Sequence, residues 1–132
     1  MALADRVRYA RHVYIIGNGG SFANAMHIAN DLIACGIKAY TLDASTLTAT
    51  ANDYGYEFIF SKWLMTVGEP GDVLIALSGS GKSKNILNAV EAAKLIGMDV
   101  WREFGAEKGL NMEESEEHQL VLGHQLKREL KQ

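Results

Sequence analysis

The chain has 132 residues, of which 48% are apolar and 22% charged, with a formal net charge of −3, one cysteine and one proline. That composition suits a single globular domain with one sizeable core; it excludes a disordered chain, a basic nucleic-acid-binding surface and an internal disulfide. No run approaches the ~20 apolar residues of a membrane-spanning helix. The opening MALADRVRYARH lacks the apolar stretch of a signal peptide, so a cytoplasmic protein without membrane or nucleic-acid partners is expected.

Short apolar runs alternate with helical patterns. HVYIIG (12–17) is rich in β-branched residues and reads as a buried strand. SFANAMHIANDLIACG follows as a helix, with Ser21 as N-cap and Gly36 as stop. KAYTLD (38–43) reads as a second strand, STLTATAND (45–53) as a short helix or turn, and YEFIFSKWLMTVG (56–68) as a further helix. EPGD (69–72) is a turn before the strand DVLIAL. Ser83 opens the helix KSKNILNAVEAAKLIG, which stops at Gly97, and MDVW begins a fourth strand. GAEKGLNMEESEE (105–117) reads as an acidic loop, and from Glu113 the pattern is helical to Gln132. Strands separated by helices predict an α/β fold over residues 1–132, a three-layer αβα sandwich around a parallel sheet of about four to five strands. In such sheets ligands bind beyond the carboxyl ends of the strands.

Two strands end alike. HVYII runs into Gly17-Asn18-Gly19-Gly20-Ser21, and DVLIAL into Ser78-Gly79-Ser80-Gly81-Lys82-Ser83. Glycines let backbone approach an anion, free amides at a helix start point toward it, and serine hydroxyls add donors suited to phosphate oxygens. GSGKS suggests a nucleotide-binding P-loop, yet the first glycine of that motif falls on Ala76, and Asp72 precedes its strand rather than ending it as a magnesium-binding Asp would. GNGGS does not match the GxGxxG spacing of dinucleotide folds either. On the helix after GNGGS, Asn24, His27 and Asp31 share one face, and His27 and Asp31 have the i, i+4 spacing at which two ligands converge on one metal. A surface His–Asp pair gives the same spacing.

GNGGSFANAMHIANDL (17–32), TANDYGYEFIF (50–60) and GDVLIALSGSGKSKNILNAVEAAKLIGM (71–98), with a looser match at GHQL (123–126), resemble the sugar isomerase (SIS) domains, and among them the phosphoheptose isomerases. The resemblance implies phosphate binding by Ser78, Gly79, Ser80 and Ser83, and contacts to the sugar chain from Asn18, Gly19, Gly20 and Ser21. Asn52 and Asp53 match an Asn-Asp pair that lines the sugar site. It also implies a zinc site of His27, Asp31 (where the family has Glu), Glu116 (where it has Gln) and His124. Gln119 is the alternative to Glu116 in a shifted register. His124, or Asp31 where no metal binds, would move the proton between C1 and C2 of a ketose phosphate. The implied activity is conversion of sedoheptulose 7-phosphate to D-glycero-D-manno-heptose 7-phosphate by a homodimer or homotetramer. The alternatives are a sugar-phosphate-binding regulatory module without catalysis and a protein-interaction module of the same fold.

Overall fold

The computed structural model describes residues 1–132. Helix α1 (Leu3–Tyr9) precedes strand β1 (Val13–Ile16), followed by α2 (Gly20–Ala34), β2 (Ala39–Tyr40), α3 (Ala44–Tyr54) and α4 (Ile59–Val67). Then come β3 (Val73–Ser78), α5 (Lys84–Ile96), β4 (Asp99–Phe104) and α6 (Met112–Leu130). The four strands form one parallel sheet in the order β2-β1-β3-β4.

Burial on both faces is why β1 and β3 are continuous apolar runs: every residue of each is buried. Successive side chains go to opposite faces. Val13, Ile15, Val73, Ile75 and Leu77 face α1, α2 and α6 in one half of the core. Tyr14, Ile16, Leu74 and Ala76 face α4 and α5 in the other. The expected three-layer αβα sandwich is the observed architecture.

Local boundaries differ in three places. Only Ala39–Tyr40 of KAYTLD pairs with β1, because Asp43 turns out of the strand to cap α3, accepting from the Thr46 amide at 2.8 Å. Ser21 is not the N-cap of α2. Gly19 takes that position with φ 57°, a left-handed conformation that glycine adopts without a steric penalty, and Ser21 lies inside the first turn. The stretch 105–117 is more ordered than a loop. Gly105–Lys108 forms a 3-10 turn, and Asn111 with Glu114 forms a reciprocal capping box that starts α6.

Candidate functional site

Because β1 and β3 are parallel neighbours, the two glycine-serine turns that follow them lie side by side at the carboxyl edge of the sheet. The Asn18 and Asn85 carboxamides tie them together, each donating to the other at 2.8 and 2.9 Å. Asn18 Oδ1 also accepts the Tyr56 hydroxyl at 2.8 Å, which brings in the segment between α3 and α4. Within the second turn, Ser78 Oγ accepts the Gly81 amide at 2.9 Å and Ser80 Oγ accepts the Lys82 amide at 3.0 Å. Gly81 at φ 68° permits the bend that closes it. Asn18, Ser21, Ser78, Gly79, Ser80 and Ser83 line one cavity of about 40 Å³, with Met112 of α6 completing its wall. A Cβ on Gly79 would strike the Met112 sulfur, and one on Gly20 would strike the Glu116 carboxylate. Both contacts are with the flexible ends of α6 side chains, so they mark how closely α6 approaches the two turns.

Two expected residues stand apart from this arrangement. Asn52 and Asp53 are exposed at the end of α3 and hydrogen-bonded to one another at 3.2 Å. It is Tyr56, not this pair, that hydrogen-bonds to the first turn.

The second part of the site lies along α2. α6 packs against it in parallel: Gln119 Nε2 donates to Ser21 Oγ at 3.0 Å, and Asn24 Nδ2 donates to Gln119 Oε1 at 2.9 Å. Farther along the seam, Gly123 lets Ile28 approach the α6 backbone. That close approach sets His27 against His124, with their Nε2 atoms 3.2 Å apart and the rings edge to face. Asp31 is 5% exposed, and its Oδ2 is 3.4 Å from His27 Nε2 without a hydrogen-bond partner. Its Oδ1 is 3.3 Å from Lys127 Nζ.

The donor atoms of His27, Asp31 and His124 all lie within 4.8 Å of one another. Two nitrogens held about 2.0–2.1 Å from a tetrahedral zinc are separated by about 3.3 Å, close to the spacing seen here. The orphaned buried Oδ2 of Asp31 fits the same demand, since a buried carboxylate oxygen without a partner is costly unless a proton or cation meets it. The three residues fit a divalent metal.

Glu116 does not join them. It precedes His124 by eight residues, about 12 Å along a helix axis, and so its side chain falls beside Gly20 at the start of α2. Gln119 occupies the seam between, bonded to Ser21 and Asn24. Tyr56, Asn85 and Lys127 have no sequence signal of their own. Asn85 sits in the helix-forming run after Ser83, and Lys127 reads as a solvated basic residue near a helix end.

Residues 1–101 match the family model described as SIS domain. The phosphoheptose isomerase of Photorhabdus laumondii is 46% identical over 105 residues, which cover 74% of this chain and 54% of that protein. The phosphoheptose isomerase of Rhodospirillum rubrum is 46% identical over 102 residues, 71% of this chain and 54% of that protein. The chain thus spans about half the length of the curated relatives it matches. Phosphoheptose isomerase GmhA from Neisseria gonorrhoeae superposes with a TM-score of 0.88 at 28% identity, over 98% of this chain and 80% of that one. The Francisella tularensis phosphoheptose isomerase gives 0.87 at 28% identity, over 97% and 82%. With the family model spanning both glycine-serine turns, and the parallel sheet aligning them at one edge, the chain belongs to the SIS domain family.

Proposed function

We propose that this chain is an aldose–ketose isomerase of sugar phosphates, converting sedoheptulose 7-phosphate to D-glycero-D-manno-heptose 7-phosphate. One observation carries the reading. On the helix that begins at the first glycine-serine turn, a buried carboxylate with an unpartnered oxygen faces the His27 imidazole, and His124 of α6 stands against that imidazole. The names of the similar proteins support the substrate.

The chemistry divides along α2. The serines and amides of the two turns hold the phosphate, where helix N-termini and glycine backbone favour an anion. His27 is six residues beyond Ser21, about 9 Å along the helix, a reach comparable to an extended seven-carbon chain. The C1–C2 end then meets Asp31 and His124. Isomerisation moves a proton between C1 and C2 through an enediolate, which requires a base and a donor for the carbonyl oxygen. Where no metal binds, Asp31 Oδ2 and His124 Nε2 take those proton-carrying roles, and His27 orients both. Zinc bound by His27, Asp31 and His124 would supply Lewis-acid polarisation of the carbonyl oxygen. A homodimer or homotetramer is the assembly we assign, closed symmetric oligomers being the commonest for soluble proteins, and the cytoplasm its location.

A binding module without turnover is the second reading. It is favoured by the incomplete ligand set, since Glu116 lies beside Gly20 and leaves only His27, Asp31 and His124 in the cluster.

The test is conversion of sedoheptulose 7-phosphate by the purified chain, with added zinc, with chelator, and in His124→Ala. Turnover that falls by about 10²-fold or more in the variant is expected from the loss of a positioned acid–base group. No turnover in the intact protein, with sugar phosphates still raising its melting temperature, would overturn the isomerase in favour of the binding module.

A further inference from the structure

A cation of the chain itself enters the metal-ligating cluster. Lys127 lies three residues beyond His124 on α6, and its Nζ is 3.3 Å from Asp31 Oδ1. The other oxygen of the same carboxylate is the unpartnered one aimed at His27. Asp31 is therefore divided between an ammonium on one side and two imidazole nitrogens on the other. Without that ammonium, the carboxylate would be a buried charge lacking a counter-ion, which is strongly unfavourable. The Lys127 side chain is 34% exposed, so its flexible stem can carry the charge into solvent while the methylenes stay packed.

We propose that Lys127 is an internal counter-cation that competes with a divalent metal for Asp31 and so weakens metal binding at His27, Asp31 and His124. The inference rests on the reading of that cluster as a metal site. With no metal bound, the ammonium neutralises Asp31 and keeps it in the α2–α6 seam. A divalent cation arriving among the same atoms meets a like charge and a carboxylate already half engaged. Binding then includes the displacement of the lysine. An opposite role is physically available: a group that donates to a ligating carboxylate can instead orient it, and removing such a partner typically weakens metal binding by about 10–100-fold. The two roles predict opposite signs.

The experiment is zinc affinity measured by competition with a chromophoric chelator, on the full chain and on Lys127→Met, Lys127→Gln and Lys127→Arg. Cobalt(II) absorption reports the ligand geometry in each. Lys127→Met and Lys127→Gln are expected to bind one zinc about tenfold more tightly or better, since a like charge is removed from a dication at close range. Lys127→Arg is expected to keep the affinity of the unaltered chain, and the cobalt band shape is expected to be the same throughout. Lys127→Gln keeps a hydrogen-bond donor for Asp31, so it serves if Lys127→Met does not fold. Equal or weaker zinc binding in both neutral variants, with His27→Ala abolishing binding in each, overturns the competition while leaving the metal site intact. Zinc binding that survives His27→Ala and His124→Ala, or is absent from every variant, overturns the metal site and the competition together.

Discussion

Tyr14 shows how closely a single side chain can be tied to the fold. It is 5% exposed, stacks on Tyr40, meets Trp63 edge to face at 5.2 Å, and donates its hydroxyl to the Val67 carbonyl at 3.1 Å. Burial, then the charges of Asp72, Tyr40 and Glu69, push its phenol up to about 12 from 10.0. The folded protein thus holds this proton more tightly than the unfolded chain does. The associated stability is fully present below pH 10 and is lost as pH rises from there through about 12. Tyr14→Phe should cost about 0.5–1.5 kcal/mol at neutral pH for the lost hydrogen bond. It should also remove Tyr14's share of the alkaline decline. Urea denaturation of both proteins at pH 8 and 10.5 measures the difference: an undiminished alkaline slope in the variant would assign that slope to other groups.

At the scale of elements, the crossing of α2 and α6 decides whether the cluster exists. A Cβ on Gly123 would lie 2.7 Å from Ile28 Cγ1 and 3.3 Å from Cδ1, and Ile28 is 2% exposed in the core. Gly123→Ala gains up to about 1 kcal/mol of helix propensity, whereas overpacking a filled interior costs about 1–3 kcal/mol. The steric effect should win. The variant is expected to melt lower and to bind zinc more weakly, because pushing the helices apart separates His27 from His124. A higher melting temperature with unchanged zinc affinity would show that Ile28 repacks at no cost. This crossing also marks the limit of what the sequence discloses. The strand-helix alternation, the two glycine-serine turns and the His27–Asp31 spacing are local patterns of period two or 3.6, and all are legible. GHQL identifies His124 by resemblance, but the register between α2 and α6 is a tertiary fact. Only packing decides that Gln119 meets Ser21, that Glu116 lies beside Gly20, and that Lys127 reaches Asp31. Tyr56 shows the same limit, because its contact with Asn18 spans 38 positions of sequence.

For the molecule as a whole, the weight carried by α6 is out of proportion to its family signal. The family model ends at residue 101, before this helix begins. Yet α6 supplies His124 and Lys127, places Met112 in the wall of the cavity between the two turns, and covers one face of the sheet with Leu126, which is 3% exposed. It is also tied to the start of the chain, Arg8 donating to the Glu129 carbonyl at 2.5 Å. Ala25, Ile28, Ala29 and Leu32 of α2 belong to the core half that Leu126 completes. If α6 is integral to that core, Leu126→Ala should cost about 2–5 kcal/mol, as large-to-small changes in packed interiors do. That is a large part of the roughly 5–15 kcal/mol that holds a domain folded. Ending the chain at Leu110 should then abolish cooperative unfolding altogether and disrupt the proposed sugar phosphate site with it. Were α6 instead an appendage on a core complete without it, the shortened chain would keep a sharp transition and still be stabilised by sugar phosphate, losing only the histidine-carboxylate chemistry. Thermal denaturation of the two chains, with and without sedoheptulose 7-phosphate, separates these cases, and the buried Gln119–Ser21 bond at 3.0 Å argues for the first.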